Sequence, residues 1–354
     1  MSRLFARFLG RLSVGRKLLL IYLLDLTAVI YISGILINEK FIAIDFARKE
    51  ESGIAYIRRT SDVLVTLART SIGPVPAARP EGWLPLARSV AETERLHGEG
   101  MKSAEAAALL QRSLEALGPR PAPDTVTAVL GQGRALVTRV GNQSNLILDP
   151  DLDSYYSMSL VLLRYPELLD VLDRIGAQLR PDTRRESAVL RTQYLVLEGQ
   201  LDAVAQGIAS DQAEAVAAST PTLRAALDPA QARLAAAIEG LRRASRAYID
   251  DGATRDRLRA VHLAQAELVN ELHQAWQLGA TELERLLATR IDGLYTRMWM
   301  HLGTALVLLL AILSLVWGVA RQISVPLRRM AGVADEVRRT GDPTLRADWR
   351  SQDE

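Results

Sequence analysis

The chain has 354 residues, of which 43 are Lys or Arg and 41 are Asp or Glu, for a formal net charge of +2. This near balance argues against a dedicated nucleic-acid-binding protein, and the absence of cysteine excludes disulfides, thiol catalysis and Cys-ligated zinc. Ala, Leu and Arg dominate and aromatic residues are scarce, so the composition favours an all-α protein.

A basic amino terminus, residues 1–17, precedes an apolar run that we assign to residues 18–38. The run is close to the roughly twenty residues that a helix needs to cross the hydrocarbon layer. No Ala-x-Ala cleavage site follows it, which favours an uncleaved transmembrane helix, with a retained signal peptide as the alternative. The basic residues before it place this end of the helix in the cytoplasm.

A second apolar run occupies residues 298–320, with Trp299 and Trp317 near its two ends, where interfacial aromatic residues are common. Arg321, Arg328 and Arg329 follow it, and such an excess of arginine marks the cytoplasmic side. Because both basic flanks fall on one side, we expect a two-pass protein of the bacterial inner membrane with both termini cytoplasmic. Residues 39–297 then form a periplasmic domain.

This central region reads as about seven helical segments without an alternating strand pattern. The first continues from the membrane to about Leu67, and the last begins at Thr254 and runs straight into the second span. Between them we expect a helix over about Leu84–Ala116, a helix capped by Asp124, one divided or kinked at Pro166, and one broken or kinked near Pro229. About 260 residues of helix favour two stacked four-helix modules, with one elongated bundle as the alternative.

Residues 321–354 carry a recognisable pattern. Leu327, Met330, Ala334 and Val337 follow one another at steps of three, four and three, the spacing of a coiled-coil seam. Pro326 precedes this seam at the membrane exit, Gly341 and Asp342 follow it, and the chain closes on Ser351-Gln352-Asp353-Glu354. This segment resembles the first helix and connector of a HAMP signal-relay domain.

The resemblance implies a homodimer in which the relay helices pack as a parallel four-helix bundle. The second relay helix is missing, so we expect a receptor truncated within HAMP. In relatives of this kind the output is a histidine kinase, a chemotaxis signalling hairpin or a cyclic-dinucleotide synthase, and the partners would be cytoplasmic signalling proteins. The residues assigned to the relay are Pro326, Leu327, Met330, Ala334, Val337, Gly341 and Glu354.

Two further stretches, Glu51–Tyr56 and Asn145–Tyr156, resemble helical input domains of bacterial chemoreceptors and sensor kinases. Asp149, Asp151 and Asp153 alternate as the first ligands of an EF-hand do, but Ser154 and Leu160 stand where that loop needs glycine and glutamate. We therefore assign these aspartates to capping and turn formation, or to shaping a ligand pocket. No metal, cofactor or catalytic group is expected.

A small, anionic ligand would require arginines that face a groove, accompanied by polar side chains. The candidate ligand-binding residues are Tyr56, Arg58, Arg59, Arg69, Arg134, Arg139, Asn145, Tyr155 and Arg164. The function expected from these observations is a transmembrane receptor that passes a periplasmic signal through the second span to HAMP. The alternatives are the input half of a sensor histidine kinase or diguanylate cyclase, and a membrane-anchored scaffold that binds another protein.

Overall fold

The computed structural model describes residues 14–72, 82–180, 187–219, 221–342, 344 and 346. These residues form helices, turns and irregular segments and contain no strand, so the all-α prediction is confirmed. Most of the basic amino terminus and the connector that ends at Glu354 lie outside the described residues.

The α-helices of this part of the chain fall into two long elements and a set of shorter ones between them. The long ones are α1 (Val14–Ser71) and α9 (Arg255–Thr340). Between them lie α2 (Leu84–His97), α3 (Ala104–Glu115), α4 (Pro123–Gln143), α5 (Leu152–Ser159), α6 (Tyr165–Gln178), α7 (Ser187–Ala218) and α8 (Pro221–Asp250). A 3₁₀ turn covers Leu146–Leu148.

Both long helices continue where the apolar periodicity predicts. α1 carries the first apolar run onward to Ser71, and α9 begins at Arg255 and includes the second run. α9 ends at Thr340 because Gly341 adopts a left-handed backbone with φ of 71°. Pro326 lies inside α9, and the helix continues through it.

The single helix predicted over Leu84–Ala116 is wrong. Gly100, with φ of 75°, and Lys102, with φ of 48°, take left-handed backbone conformations that an α-helix cannot contain. The chain therefore turns between α2 and α3, and these two helices pack against each other. Their buried faces, which include Val90 and Leu110, join the main core.

Prolines divide the helices less than predicted. Pro229 lies within α8, which continues to Asp250, so the helix is not broken there, and the alternative of a kink at Pro229 stays a prediction. The division expected at Pro166 takes the form of a π-helical turn, Leu160–Arg164, between α5 and α6. This wider turn brings the Tyr165 N–H to the carbonyl of Leu160, just before Pro166, which has no N–H to donate. At α4 the capping residue is Ala122, so the predicted Asp124 cap is wrong.

The chain divides into two compact units. The unit Asp45–Ile291 has one main buried cluster, to which described residues from all nine helices contribute, with Trp276 of α9 fully buried among them. This cluster is continuous, and the choice between two stacked modules and one elongated bundle stays a prediction. A small satellite cluster joins Ala215, Leu223 and Leu227 of α7 and α8.

The other unit comprises the described residues up to Ile44 and from Asp292 onward. It contains the two stretches that are long and apolar enough to cross a membrane, one in α1 and one in α9. Their apolar side chains are not buried within the chain, and the hydroxyl of Tyr22 donates to the carbonyl oxygen of Leu313 at 3.4 Å. The two stretches therefore contact each other and expose the rest of their surfaces.

Candidate functional site

Within Asp45–Ile291, polar contacts join α1 to α9 along their length. Arg58 pairs with Glu284 at 3.0 Å, and Asp62 accepts hydrogen bonds from Gln277 and contacts the His273 ring, both at 2.8 Å. The residue number rises along α1 as it falls along α9, so the two helices run antiparallel. Arg69 extends the series, with its guanidinium 3.4 Å from His273 Nδ1.

The segment between α4 and α5 lies against α1 at a close backbone approach. A Cβ placed on Gly53 would lie 2.2 Å from the Cβ of Ser144 and 3.3 Å from a methyl group of Leu146. Only glycine at residue 53 allows α1 and the end of α4 to come this near. Asn145 then takes a left-handed backbone, with φ of 70°, and turns the chain into the fully buried Leu146. The two stretches predicted to form the input region are therefore in contact.

The segment between α4 and α5 places two aspartates next to a buried arginine. Arg290 of α9 donates from Nη1 to Glu50 of α1 at 3.0 Å, and from Nη2 to Asp149 and to the hydroxyl of Ser154. Its Nε lies 2.7 Å from Asp151, but that N–H forms no hydrogen bond, so this contact is electrostatic. We call Arg290, Glu50, Asp149, Asp151 and Ser154 the Arg290 cluster.

The cluster is buried and holds more negative than positive charge. Glu50 is fully buried, and the side chain of Arg290 is 13% exposed. Burial raises the pKa of Glu50 to about 8, with a further increase from the charge of Asp149 and a smaller one from Asp151, while Arg290 acts in the opposite direction. Glu50 is therefore largely protonated at neutral pH.

The three aspartates predicted to cap or turn the chain have separate roles. Asp149 accepts the backbone N–H of Asp151 at 3.0 Å, which forms the predicted turn. Asp151 is the residue that precedes α5, but its side chain forms no capping hydrogen bond there. Asp153 accepts the backbone N–H of Ser154 at 2.8 Å. Among the described residues, no group of three or more His, Asp or Glu side chains is arranged to hold a metal ion.

Several of the predicted ligand-binding residues are held by acidic partners. Tyr56 is buried and donates to Glu94 at 2.8 Å, and burial raises its pKa, so the phenol stays protonated. The corresponding ion pairs of the arginines are Arg58–Glu284, Arg134–Asp170 and Arg164–Asp211. A ligand at these arginines would have to compete with a carboxylate already in place.

The other predicted ligand-binding residues are more open. Arg139 donates to the carbonyl oxygen of Lys102, and Tyr155 contacts Tyr156 edge-on at 5.3 Å between ring centres. Arg59 is exposed. The pKa of Glu92 is lowered chiefly by its hydrogen bond with Arg95 and that of His97 chiefly by burial, and the charge of Arg59 lowers both further. Together with Arg69 and Asn145, these residues belong to separate contacts rather than to one site. Their role in ligand binding stays a prediction.

The cavities are of two kinds. A small one of about 20 Å³ lies beside Asp173 and Gln265, which is room for a single water molecule. Open grooves are larger: one of about 420 Å³ is lined by Arg134, and one of about 560 Å³ by Arg174 and Arg180.

The residues assigned to signal relay lie on the last part of α9. Leu327 and Met330 are 51% and 57% exposed, so no described residue covers these two side chains of the predicted seam. The guanidinium of Arg321 stacks over the ring of Trp317, 5.3 Å from its centre, at the end of the apolar stretch.

Glu50 and Arg290, the centre of the cluster, are absent from the predicted site. The helical periodicity of the apolar residues does indicate that both side chains are buried. Glu50 continues the buried stripe of Ala47, Ile54 and Ile57 on α1, and Arg290 continues that of Leu283 and Leu287 on α9. A charge at such a position requires a buried partner.

Comparison with family models, with curated proteins and with solved structures finds no match to the chain.

Proposed function

We propose that the chain is a subunit of a two-pass membrane receptor in which α9 transmits a conformational signal from the domain between the spans. The observation that carries the proposal is the continuity of α9. One helix, Arg255–Thr340, contains the fully buried Trp276, an apolar stretch long enough for a membrane and the exposed seam that begins at Leu327.

A continuous helix is suited to this task because a hydrogen-bonded rod passes on a shift or rotation with little loss, whereas a flexible loop absorbs it. The exposed seam supports the second element of the proposal, a homodimer. Leu327, Met330, Ala334 and Val337 follow coiled-coil spacing, and a second copy of the chain would cover their apolar side chains. In this arrangement HAMP-like packing is the read-out of the signal.

The input is proposed to be a small anionic molecule. The small cavity beside Asp173 and Gln265 holds about one water, so we place such a ligand in an open groove or between two subunits. Arginines line two such grooves, Arg134 in one and Arg174 and Arg180 in the other. An anion bound at Arg134 or Arg174 would compete with Asp170, which pairs with both.

One observation favours a scaffold instead. Arg58, Arg134 and Arg164 already pair with carboxylates, as expected of arginines that stabilise a fold. A thermal-shift screen of the purified chain against organic acids, amino acids and nitrate separates the two. A ligand at one hundred times its Kd would stabilise a receptor by about 2.7 kcal/mol. A screen in which no compound stabilises the chain would favour the scaffold.

The topology has a direct test, because the chain lacks cysteine and a single introduced thiol is unique. Asp251→Cys lies at the exposed turn before α9, and Gly332→Cys lies after the apolar stretch, where an added Cβ would meet nothing within 4 Å beyond its own stretch of helix. In intact cells, a membrane-impermeant maleimide should label Asp251→Cys at once and Gly332→Cys only after permeabilisation. Labelling of both without permeabilisation would contradict a two-pass protein.

The dimer has a separate test on the same helix. Ala334→Cys, within the seam, should form an intermolecular disulfide in membranes far faster than Gly332→Cys, which lies on the opposite side of the heptad. Equal rates at the two positions would contradict the proposed parallel seam.

A further inference from the structure

Two buried oxygen atoms of the Arg290 cluster have no hydrogen-bond donor. Glu50 uses Oε2 to accept from Arg290 and leaves Oε1 without a partner, and Asp149 uses Oδ1 and leaves Oδ2 without one. Both carboxyl groups are held by the same guanidinium, through its two terminal nitrogens. An unpaired buried acceptor is costly, and here two of them belong to one cluster.

The net charge of the cluster also indicates that one of its carboxyl groups binds a proton. Three ionised carboxylates, Glu50, Asp149 and Asp151, against one guanidinium would leave two uncompensated negative charges. Asp151 is 58% exposed on its side chain and is screened by water, but Glu50 and Asp149 have side chains with no exposed surface. The two buried carboxyl groups therefore carry one negative charge more than Arg290 neutralises when both are ionised.

We propose that Glu50 and Asp149 share one proton, held between Glu50 Oε1 and Asp149 Oδ2, and that this proton keeps the Asp149–Ser154 segment docked against both α1 and α9. The shared proton supplies the donor that both orphaned oxygens lack and removes one of the two excess charges. A protonated Glu50 still accepts the hydrogen bond from Arg290 through its other oxygen. The inference concerns Asp45–Ile291 alone and holds whether or not the chain is a receptor.

The surroundings of Glu50 support this assignment. The charged groups that act on it are Asp149 and Asp151 from the segment between α4 and α5, and Arg290 from α9. Its burial and the two aspartates together outweigh Arg290 and place the pKa of Glu50 at about 8. A carboxyl acid kept neutral in this way acts as a hydrogen-bond donor at neutral pH.

The sign of the pH dependence follows from linkage. The folded state keeps the proton up to about pH 8, while the unfolded chain releases it near the ordinary glutamate value of 4.5. The folding equilibrium constant should therefore fall by up to tenfold for each pH unit within this window, and the contribution of Glu50 should be constant outside it. Above pH 8 the two ionised carboxylates repel each other, and the segment should leave the cluster.

The decisive variant is Glu50→Gln, in which the amide replaces the shared proton as a permanent donor to Asp149. Equilibrium unfolding of the full chain in detergent micelles, measured from pH 5 to 9, should show that this variant loses the contribution of Glu50 to the pH slope. The matched control is Glu284→Gln, which removes the carboxylate of the Arg58–Glu284 pair between the same two helices. The control should keep the slope that depends on Glu50. Equal slopes for the wild type and Glu50→Gln would overturn the proposal.

Infrared spectroscopy of the wild type detects the shared proton directly and does not require Glu50→Gln to fold. The wild type should show the carbonyl stretch of a protonated carboxylic acid at pH 7, and this band should disappear as the pH rises through about 8. Asp149→Asn, which places a permanent donor opposite Glu50 and removes a negative charge, should shift this loss to lower pH. Absence of a pH-dependent acid band in the wild type would overturn the proposal.

Discussion

The close approach of α1 to the end of α4 makes Gly53→Ala the most informative test of how the Arg290 cluster is positioned. Gly53 lies one helical turn from Glu50, and its ideal Cβ would lie 2.2 Å from the Cβ and 2.5 Å from the Oγ of Ser144. Carbon atoms in contact are ordinarily about 3.5–4.0 Å apart, so the helices must separate by roughly 1.5 Å. The obstructing Cβ is attached to the backbone and cannot rotate away.

The magnitude follows from two opposing effects. Overpacking of this kind costs about 1–3 kcal/mol, and replacing a helical glycine with alanine returns about 0.5–1 kcal/mol. Because the displaced group is backbone-linked, the cost falls at the upper end of this range, and we expect a net loss of about 2 kcal/mol for Gly53→Ala. Gly131→Ala, on α4, is the matched control, because its added Cβ would meet nothing within 4 Å beyond its own stretch of helix, and it should gain about 0.5–1 kcal/mol.

The assay is denaturant unfolding of the purified full chain in detergent, followed by helical circular dichroism. A double variant sharpens it: Ser144→Gly removes both obstructing atoms, so Gly53→Ala combined with Ser144→Gly should recover most of the loss. A Gly53→Ala protein as stable as Gly131→Ala, or a double variant that shows no recovery, would refute the close approach described here.

Other expectations follow from the same contacts. Arg290→Ala leaves two buried carboxyl groups without their cation and should lower the free energy of unfolding by about 3–5 kcal/mol. Arg233→Ala breaks an exposed ion pair and should lower it by at most about 1 kcal/mol. Equal losses for the two variants would contradict the burial of Arg290. Trp276→Ala should destabilise the chain by about 3–5 kcal/mol in the same assay, since the indole is fully buried at the centre of the core, and a loss below about 1 kcal/mol would contradict this packing. Leu327→Asp should abolish disulfide formation through Ala334→Cys by placing a charge in the seam, and unchanged cross-linking would show that Leu327 lies outside the interface.

The long helices could be predicted from the sequence because apolar periodicity and length are local signals. The uninterrupted pattern from Thr254 into the second apolar run predicted α9, and the run into Leu67 predicted α1. The turn between α2 and α3 was missed because the pattern of apolar residues continues across it. A glycine such as Gly100 is compatible with a helix until its backbone conformation is known.

The Arg290 cluster cannot be predicted from the sequence, for a different reason. Its members are distant in sequence: Glu50 and Asp149 lie 240 and 141 residues from Arg290. Periodicity places Glu50 and Arg290 on buried stripes but does not identify their partners. The alternating spacing of the aspartates between α4 and α5 is visible in the sequence, but their pairing with an arginine on another helix is a tertiary property. Local patterns cannot supply it.

The central claim is that α9 passes a change in the domain between the spans to the seam that begins at Leu327. The most direct measurement is the rate of disulfide formation through Ala334→Cys in native membranes, with and without Gly53→Ala, and with Arg233→Ala as the reference. Coupling between two sites of 1 kcal/mol or more predicts that Gly53→Ala changes this rate by about fivefold or more, while Arg233→Ala leaves it unchanged. Identical rates in all three backgrounds would contradict transmission along α9.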